Sequence, residues 1–189
     1  MPYRYILSYK DQYYHVYNRG NNKERIFFEA NNYIYFLNKV KTAFENKIEL
    51  IAYCLMPNHF HLLAFVKEDN ALEEAMQKIS TGYTRAINSA YNRTGHLFQG
   101  RFKNKIIPNN EYLLHLSQYI FRNPLRAGLV EKLEDWKHSS YHDSISKNES
   151  SLIKPQILIE QFLTIEALKK FVHEFDENQN YFVRDLLFK

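Results

Sequence analysis

Two apolar runs, Ile48–Met56 (IELIAYCLM) and His59–Lys67 (HFHLLAFVK), stand only two residues apart, across Pro57 and Asn58. Two strands separated by a two-residue breaker fold back on each other as a β-hairpin. The unbroken LLAF in the second run belongs to a central, buried strand rather than to an edge. The chain is therefore expected to build its core on an antiparallel sheet.

The remaining elements follow from periodicity and breakers. Gln12–Arg19 (QYYHVYNR) reads as a strand stopped by Gly20-Asn21-Asn22. In the segment 31–46, Tyr33, Phe36, Leu37, Val40 and Phe44 recur at helical spacing, and Asn31 or Asn32 is the expected cap. A long helix is expected from Ala71 to Tyr91, stopped by Asn92-Arg93-Thr94-Gly95, and a short strand within 102–107. A last helix, Glu111–Asn123, is capped by Asn109 or Asn110, and Pro124 is expected to end or kink it. The order β-α-β-β-α-β-α predicts an α+β, ferredoxin-like antiparallel sheet with helices packed on one face. Ser139–Ser151 is polar and loop-like, and Gln156–Phe175 reads as helical and acidic. The expected division is a domain over 1–144 and a C-terminal helical extension over 145–189.

Composition excludes several classes. Cys54 is the single cysteine of 189 residues, so no internal disulfide can form and a reducing compartment is expected. No run approaches the length of a membrane span, and Met1–Tyr5 lacks the apolar core of a secretory signal. A cytoplasmic location is the expectation. The charge is distributed unevenly: residues 76–132 carry nine Lys or Arg against two Asp or Glu, and no acid occurs from Ala75 to Asn110. Lys78, Arg85, Arg93, Arg101, Lys103 and Lys105 all fall in that acid-free stretch, interleaved with Tyr83, Tyr91, Phe98 and Phe102. Clustered cations read as the footprint of a polyanion, and rings among them suit the stacking of unpaired bases. A solvated basic face without a partner is the plainer alternative.

The sharpest local feature is His59-Phe60-His61. Residues i and i+2 of a strand share a face, so the two imidazoles stand side by side and can chelate one divalent ion through neutral ring nitrogens. Two histidines satisfied by backbone or water would look the same in sequence. On the last helix, Tyr119 and Asn123 stand one turn apart on a common face, although Tyr112, Leu116, Tyr119 and Ile120 also fit a core stripe. His15 and Arg19 alternate with Val16 and Asn18 on the first strand, where a place near a phosphate competes with ordinary strand polarity. Gly95 and Gly100 flank HLFQ, either as turn glycines or to let a loop approach DNA closely.

Taken in order, YHVYNRG (14–20), MPNHFHLL, YNRTGHLFQGRFK, YIFRNPLRAGLV and WKHSSY resemble the single-tyrosine HUH transposases of the IS200 type, in particular the REP-associated tyrosine transposase branch. The resemblance covers about residues 13–142 and does not extend to the tail. It implies the HUH endonuclease fold, and it assigns roles residue by residue. His59 and His61 match the pair that holds Mg²⁺ or Mn²⁺, Asn123 matches the polar residue that completes the metal site, and Tyr119 matches the nucleophile. The implied partner is single-stranded or hairpin DNA, and the cations expected from the charge reading and the first strand to contact it are Arg19, Arg85, Arg93, Arg101, Lys103 and Lys105. Attack by Tyr119 would leave a 5′-phosphotyrosine and a free 3′-OH. Both monomer and homodimer stay open. Two rivals share these residues: a hairpin-binding regulator that does not cut, and a phosphodiesterase in which water attacks. Only the transposase reading yields a covalent protein–DNA adduct.

Overall fold

A computed structural model describes residues 7–146, 152–162 and 164–174. Four strands form one antiparallel sheet: β1 (Gln12–Arg19), β2 (Ile48–Met56), β3 (His59–Val66) and β4 (Lys103–Ile106), in the order β2-β3-β1-β4. The α+β class and the ferredoxin-like strand order stand as expected. The β2–β3 hairpin turns at Pro57-Asn58 and pairs Met56 with His59. Between Leu50 and Ala52 the ladder shifts register, which absorbs one residue of β2. β3 is central, and β4 is a short edge strand carrying Lys103 and Lys105, a composition that discourages edge-to-edge pairing.

The helices differ from the one-face expectation. Helices α1 (Ala30–Phe44) and α2 (Ala71–Ala90) cover one face of the sheet, where Val16, Leu55, Phe60 and Leu62 meet Phe36, Val40, Met76 and Ile79. Helix α3 (Asn110–Arg126) lies on the opposite face, against Ile51, Cys54, Met56 and Leu63. The physical reason is that β2 and β3 are apolar at both parities, so each face needs a cover.

Two helix boundaries also depart from the sequence reading. Glu29, not Asn31 or Asn32, is the N-cap of α1, and the Asn32 side chain closes a reciprocal capping box with it. Helix α3 begins as expected, with Asn109 accepting the Tyr112 N–H, but it runs through Pro124 to Arg126. Its end is set by Gly128, whose φ of +65° permits a closing turn in which Leu129 N–H donates to Pro124 O and Gly128 N–H to Leu125 O. Tyr119 and Asn123 therefore lie on one uninterrupted helix.

The polar segment after Trp136 is packed as far as Ser146; its remainder, 147–151, lies outside the described residues. Ser139 bridges Cys54 at the outer edge of β2, and Tyr141–Ile145 forms a short helix, α4. Beyond it, the segment read as helical from Gln156 forms two helices, α5 (Gln156–Phe162) and α6 (Ile165–His173), with Thr164 capping α6; Phe175, the end of that segment, lies outside the described residues. Leu158, Leu168 and Val172 join the core behind α3. Gln118 donates to the carbonyls of Phe171 and Glu174, and Arg122 to those of Val172 and His173. Side chains on α3 thus cap the end of α6, while Tyr119 and Asn123 face the sheet. No helix among the described residues is long and apolar enough to cross a membrane.

Candidate active site

The site lies between β3, β1 and α3. Strand geometry places His59 and His61 on the α3 face, with ring centroids 5.1 Å apart and nearly perpendicular, while Phe60 enters the opposite core. From α3, Tyr119 meets His61 edge-on at a centroid distance of 5.4 Å, and Asn123 Oδ1 stands 3.4 Å from His59 Nε2. Arg126, one helical turn beyond Asn123, places its guanidinium 5.2 Å from the Tyr119 ring centre. The four residues singled out in the sequence are thereby brought together.

Two further members were not assigned. β1 pairs with β3 so that Tyr17 faces His61 and Arg19 faces His59. His15 Nε2 lies 2.8 Å from His61 Nδ1, with the rings stacked at 5.0 Å, and Tyr17 stacks on His15 at 4.7 Å. His15 and His61 are both fully buried. The signal was present in the alternation of YHVYNR, which puts His15, Tyr17 and Arg19 on one face, but it needed the register with β3 to become specific.

Hydrogen bonding decides which ring nitrogen of His59 carries the proton. A neutral imidazole carries one N–H. His59 Nδ1 lies 2.6 Å from Asn58 Oδ1, the shorter of its two contacts with an amide oxygen, so the proton belongs there and the Nε2 lone pair points toward Asn123 Oδ1. His61 engages His15 through Nδ1, and its Nε2 is buried without a hydrogen-bond partner, as is Asn123 Nδ2. Orphaned buried nitrogens are costly unless something satisfies them. A divalent cation fits this donor set: His59 Nε2, His61 Nε2 and Asn123 Oδ1 would hold it, with His15 and Asn58 fixing the two tautomers from behind. Among the described residues no three His, Cys, Asp or Glu side chains form a metal cluster, so this set depends on the amide for its third donor.

Burial keeps the imidazoles neutral. It pushes His15 down to about 3 and His59 down to about 4, with Arg19 adding to the fall at His59 and the Asn123 contact opposing it. His61 is held well below the usual histidine value by burial first, then by His15 and His59. Burial also raises the Tyr119 phenol, while Asn123 and Arg126 pull it back. A histidine whose folded pKa is depressed stabilises the fold above its unfolded value near 6.5 and loses that contribution as pH falls through the folded value. Unfolding at pH 5.5 should therefore take up at least about two protons, since three such histidines are neutral when folded and mostly charged when unfolded. Calorimetry in buffers of different ionisation enthalpy reads this number, and an uptake near zero would contradict the buried neutral triad.

The cations divide into separate groups. Lys103 and Lys105 pair with Tyr17 and His15 across the β1–β4 ladder, on the same face as the histidines, and Arg19 completes that edge. Arg85 and Arg101 lie elsewhere, beside a groove between α2 and the segment 96–102. Arg93 engages Glu24 at 3.3 Å and packs over the Phe28 ring. The interleaved aromatics are mostly structural, against the stacking expectation. Tyr83 is fully buried and donates to Ile26 O, Tyr91 stacks on Phe28 and donates to Asn32 Oδ1, and Phe98 is core. Gly95, at φ +83°, is a turn glycine.

Comparison with known proteins finds similarity in sequence and in fold. The chain is 27% identical over 125 residues to a protein of Haemophilus influenzae named as a REP-associated tyrosine transposase, spanning 58% of this chain and 71% of that protein. It is 25% identical over 109 residues to the REP-associated tyrosine transposase of Escherichia coli, spanning 57% of this chain and 63% of the relative. A solved structure of a REP-associated tyrosine transposase bound to a REP hairpin shares the fold, with a TM-score of 0.65 and 19% identity, covering 82% of this chain and 97% of that one. The sequence model of the family described as transposase IS200 like matches residues 8–123, which is well over half of the chain and includes every member of the histidine–tyrosine–asparagine cluster, so this chain belongs to the IS200-like transposases.

Proposed function

We propose that this chain is a metal-dependent single-stranded DNA endonuclease and strand transferase that acts through a 5′-phosphotyrosine on Tyr119, on hairpin-forming or repetitive extragenic DNA. The observation that carries the reading is the meeting of Tyr119, His59, His61 and Asn123 between β3 and α3, with the His59 and His61 rings 5.1 Å apart, Tyr119 5.4 Å from His61 and Asn123 Oδ1 3.4 Å from His59 Nε2. The names of the relatives, and the hairpin bound by the structural neighbour, supply the substrate class.

Mg²⁺ or Mn²⁺, held by His59, His61 and Asn123, would supply Lewis-acid polarisation of the scissile phosphate. The chain's own residues do the rest. Helix α3 carries the Tyr119 oxygen toward the phosphate, and its continuity with Asn123 fixes the distance between nucleophile and metal site. A phenol is a weak nucleophile at neutral pH, and Arg126 near the Tyr119 ring favours the charge that develops as its proton leaves. The phenol oxygen bonds to phosphorus as the bond to the 3′ oxygen breaks, and the released 3′ alkoxide takes up a proton. The phosphodiester energy is conserved in the phosphotyrosine, so a second 3′-OH can reverse the step and join strands.

Labelled hairpin oligonucleotide incubated with the protein and Mn²⁺, then denatured in SDS, tests the reading. A covalent band that EDTA prevents is expected; a non-cleaving regulator or a hydrolase using water gives none. The basic edge beside the site predicts the salt response. Replacing Lys103 and Lys105 by Gln should flatten the slope of log K against log salt by about one to two, at about 0.9 per phosphate contact. An unchanged slope in a binding titration would move the phosphate contacts away from β4.

A further inference from the structure

Helix α3 carries two polar stripes. Tyr119 and Asn123 face the sheet, and Gln118 and Arg122, also one turn apart, form the second. At about 100° per residue, the two stripes stand about 100° apart around the helix axis. The second stripe is wholly engaged with α6. Gln118 Nε2 donates to Phe171 O and Glu174 O, and Arg122 Nη1 donates to Val172 O at 3.0 Å and His173 O at 3.1 Å. These are four consecutive carbonyls at the C-terminal end of α6, where a helix supplies no N–H of its own to them. Gln118 is buried, so its amide has no solvent to turn to instead. Burial, then the nearby Arg126 charge, hold the Arg122 guanidinium below the usual arginine value, and the negative end of the α6 dipole favours the cation in return. Arg122 is thereby drawn to α6, while Arg126 stays at the Tyr119 ring.

The end of α6 is itself tied to the sheet. The hydroxyl of fully buried Tyr141 lies 3.0 Å from His173 Nε2, and Glu134 Oε1 lies 3.4 Å from the same nitrogen. Tyr141 directly follows Ser140, whose Oγ accepts the Tyr53 N–H at 2.8 Å and whose own N–H donates to Tyr53 O at 3.0 Å. Tyr53 precedes Cys54, which pairs with His61 across the β2–β3 ladder. Contacts therefore run from the histidine strand through β2, Ser140, Tyr141 and the α6 end back to α3. A helix seated on a sheet by one face can roll about its axis. A roll of about 20° carries a side-chain end about 5–6 Å from the axis through about 2 Å. Misplacement of a reacting group by about 1 Å can cost about 100-fold in rate. Bonds on a second stripe oppose that roll.

We infer that Gln118 and Arg122 are positioning residues for the nucleophile: through the end of α6 they fix the rotation of α3 and hold Tyr119 edge-on to His61. The inference rests on the proposed role of Tyr119, and it gives the C-terminal helices a part in the rate of the chemical step.

The test uses the full chain. Arg122→Met, and a Gln118→Met, Arg122→Met double variant, keep the side-chain stems and remove the donors to α6. With Mn²⁺ and a saturating labelled hairpin, single-turnover adduct formation should slow about 10- to 100-fold, the size of loss that about 1 Å of misplacement brings. The final adduct yield and the half-saturating hairpin concentration should stay at wild-type values. Arg122→Lys, which still donates to a carbonyl, should restore most of the rate. An unchanged rate constant overturns the inference. A lower yield at the wild-type rate constant also overturns it, because a helix that only adds stability changes the folded fraction and not the rate per folded molecule. The NMR contact between the Tyr119 and His61 rings, followed without metal or DNA, decides the matter if the wild type forms no adduct. The cleavage reading has then failed on its own account. A ring contact weakened in Arg122→Met and kept in Arg122→Lys upholds the positioning role, and one unchanged in Arg122→Met overturns it.

Discussion

Tyr119→Phe is expected to remove the covalent protein–DNA adduct while leaving the fold and the affinity for a DNA hairpin in place. The substitution deletes one oxygen from a side chain that is 5% exposed, so the ring keeps its edge-on contact with His61 and its place in the core between α3 and the sheet. Loss of one hydroxyl contact costs about 1 kcal/mol of stability. The expected chemical loss is far larger, at least about 10³-fold in adduct formation, because the attacking oxygen itself is removed. The sharpest competitor among the fifteen tyrosines is Tyr17, which faces His61 across the β1–β3 ladder and stacks on His15. It is not on α3, however, and neither Asn123 nor Arg126 is among the groups that shift its phenol, whereas both act on Tyr119. Tyr17→Phe should therefore retain the adduct. Tyr83 and Tyr141 are committed to Ile26 O and His173 Nε2. Mass spectrometry of the trapped nucleotidyl peptide decides the matter, and a nucleotide on Tyr17 would reverse the assignment.

The central elements were legible because each is written locally. The two-residue break at Pro57-Asn58 fixed the hairpin, and the i, i+2 spacing of His59 and His61 fixed their common face. What sequence did not disclose depends on pairings between distant segments. Leu55, Phe60 and Leu62 enter one core while Cys54, Met56 and Leu63 enter the other, so the apolar run declares depth without saying that helices cover both faces. Pro124 is a strong local stop signal, yet Gly128 and the carbonyls it helps to close carry α3 past it. The role of His15 is invisible until β1 is aligned with β3 and its ring meets His61.

The acid-free stretch shows the same limit from the electrostatic side. Charge density along the chain is a property of composition, but the fold divides it among an active-site edge, a groove on the other face and an ion pair with Glu24. The rings among those cations follow their own periodicity into the core, as Tyr83 and Phe98 do, because an aromatic on the inner face of a helix or beside a strand is worth more buried than exposed. Only Phe102, half-buried at the groove edge, keeps the position that the stacking reading gave to all four.

His61→Gln should abolish both cleavage and the stabilisation by Mn²⁺, while leaving DNA affinity in EDTA within about 1 kcal/mol of wild type. His61 is the most constrained member of the cluster: fully buried, bonded to His15 through Nδ1, and without a hydrogen-bond partner at Nε2. Glutamine preserves most of the volume, so the packing cost stays below that of a truncation to alanine, which leaves a cavity. With wild type, Mn²⁺ at about 100 times its Kd adds about 2.7 kcal/mol to the folded state, which a thermal melt reads as a rise of several degrees. Losing one of three protein donors should weaken the ion at least about 100-fold, and at the same Mn²⁺ concentration the rise falls to about 0.4 kcal/mol. His15→Leu should give an intermediate loss of about 10- to 100-fold, since it removes the partner that orients His61 and not a donor. That ordering separates a metal site from a merely structural histidine pair. If His61 and His15 only hold the sheet to α3, both variants lower the melting temperature equally with and without Mn²⁺. DNA affinity reports on different groups, because Lys103 and Lys105 on β4 are untouched in either variant. An undiminished Mn²⁺ shift in His61→Gln, or cleavage that persists in excess EDTA, would remove the metal from the mechanism and leave Tyr119 to act with Arg126 alone.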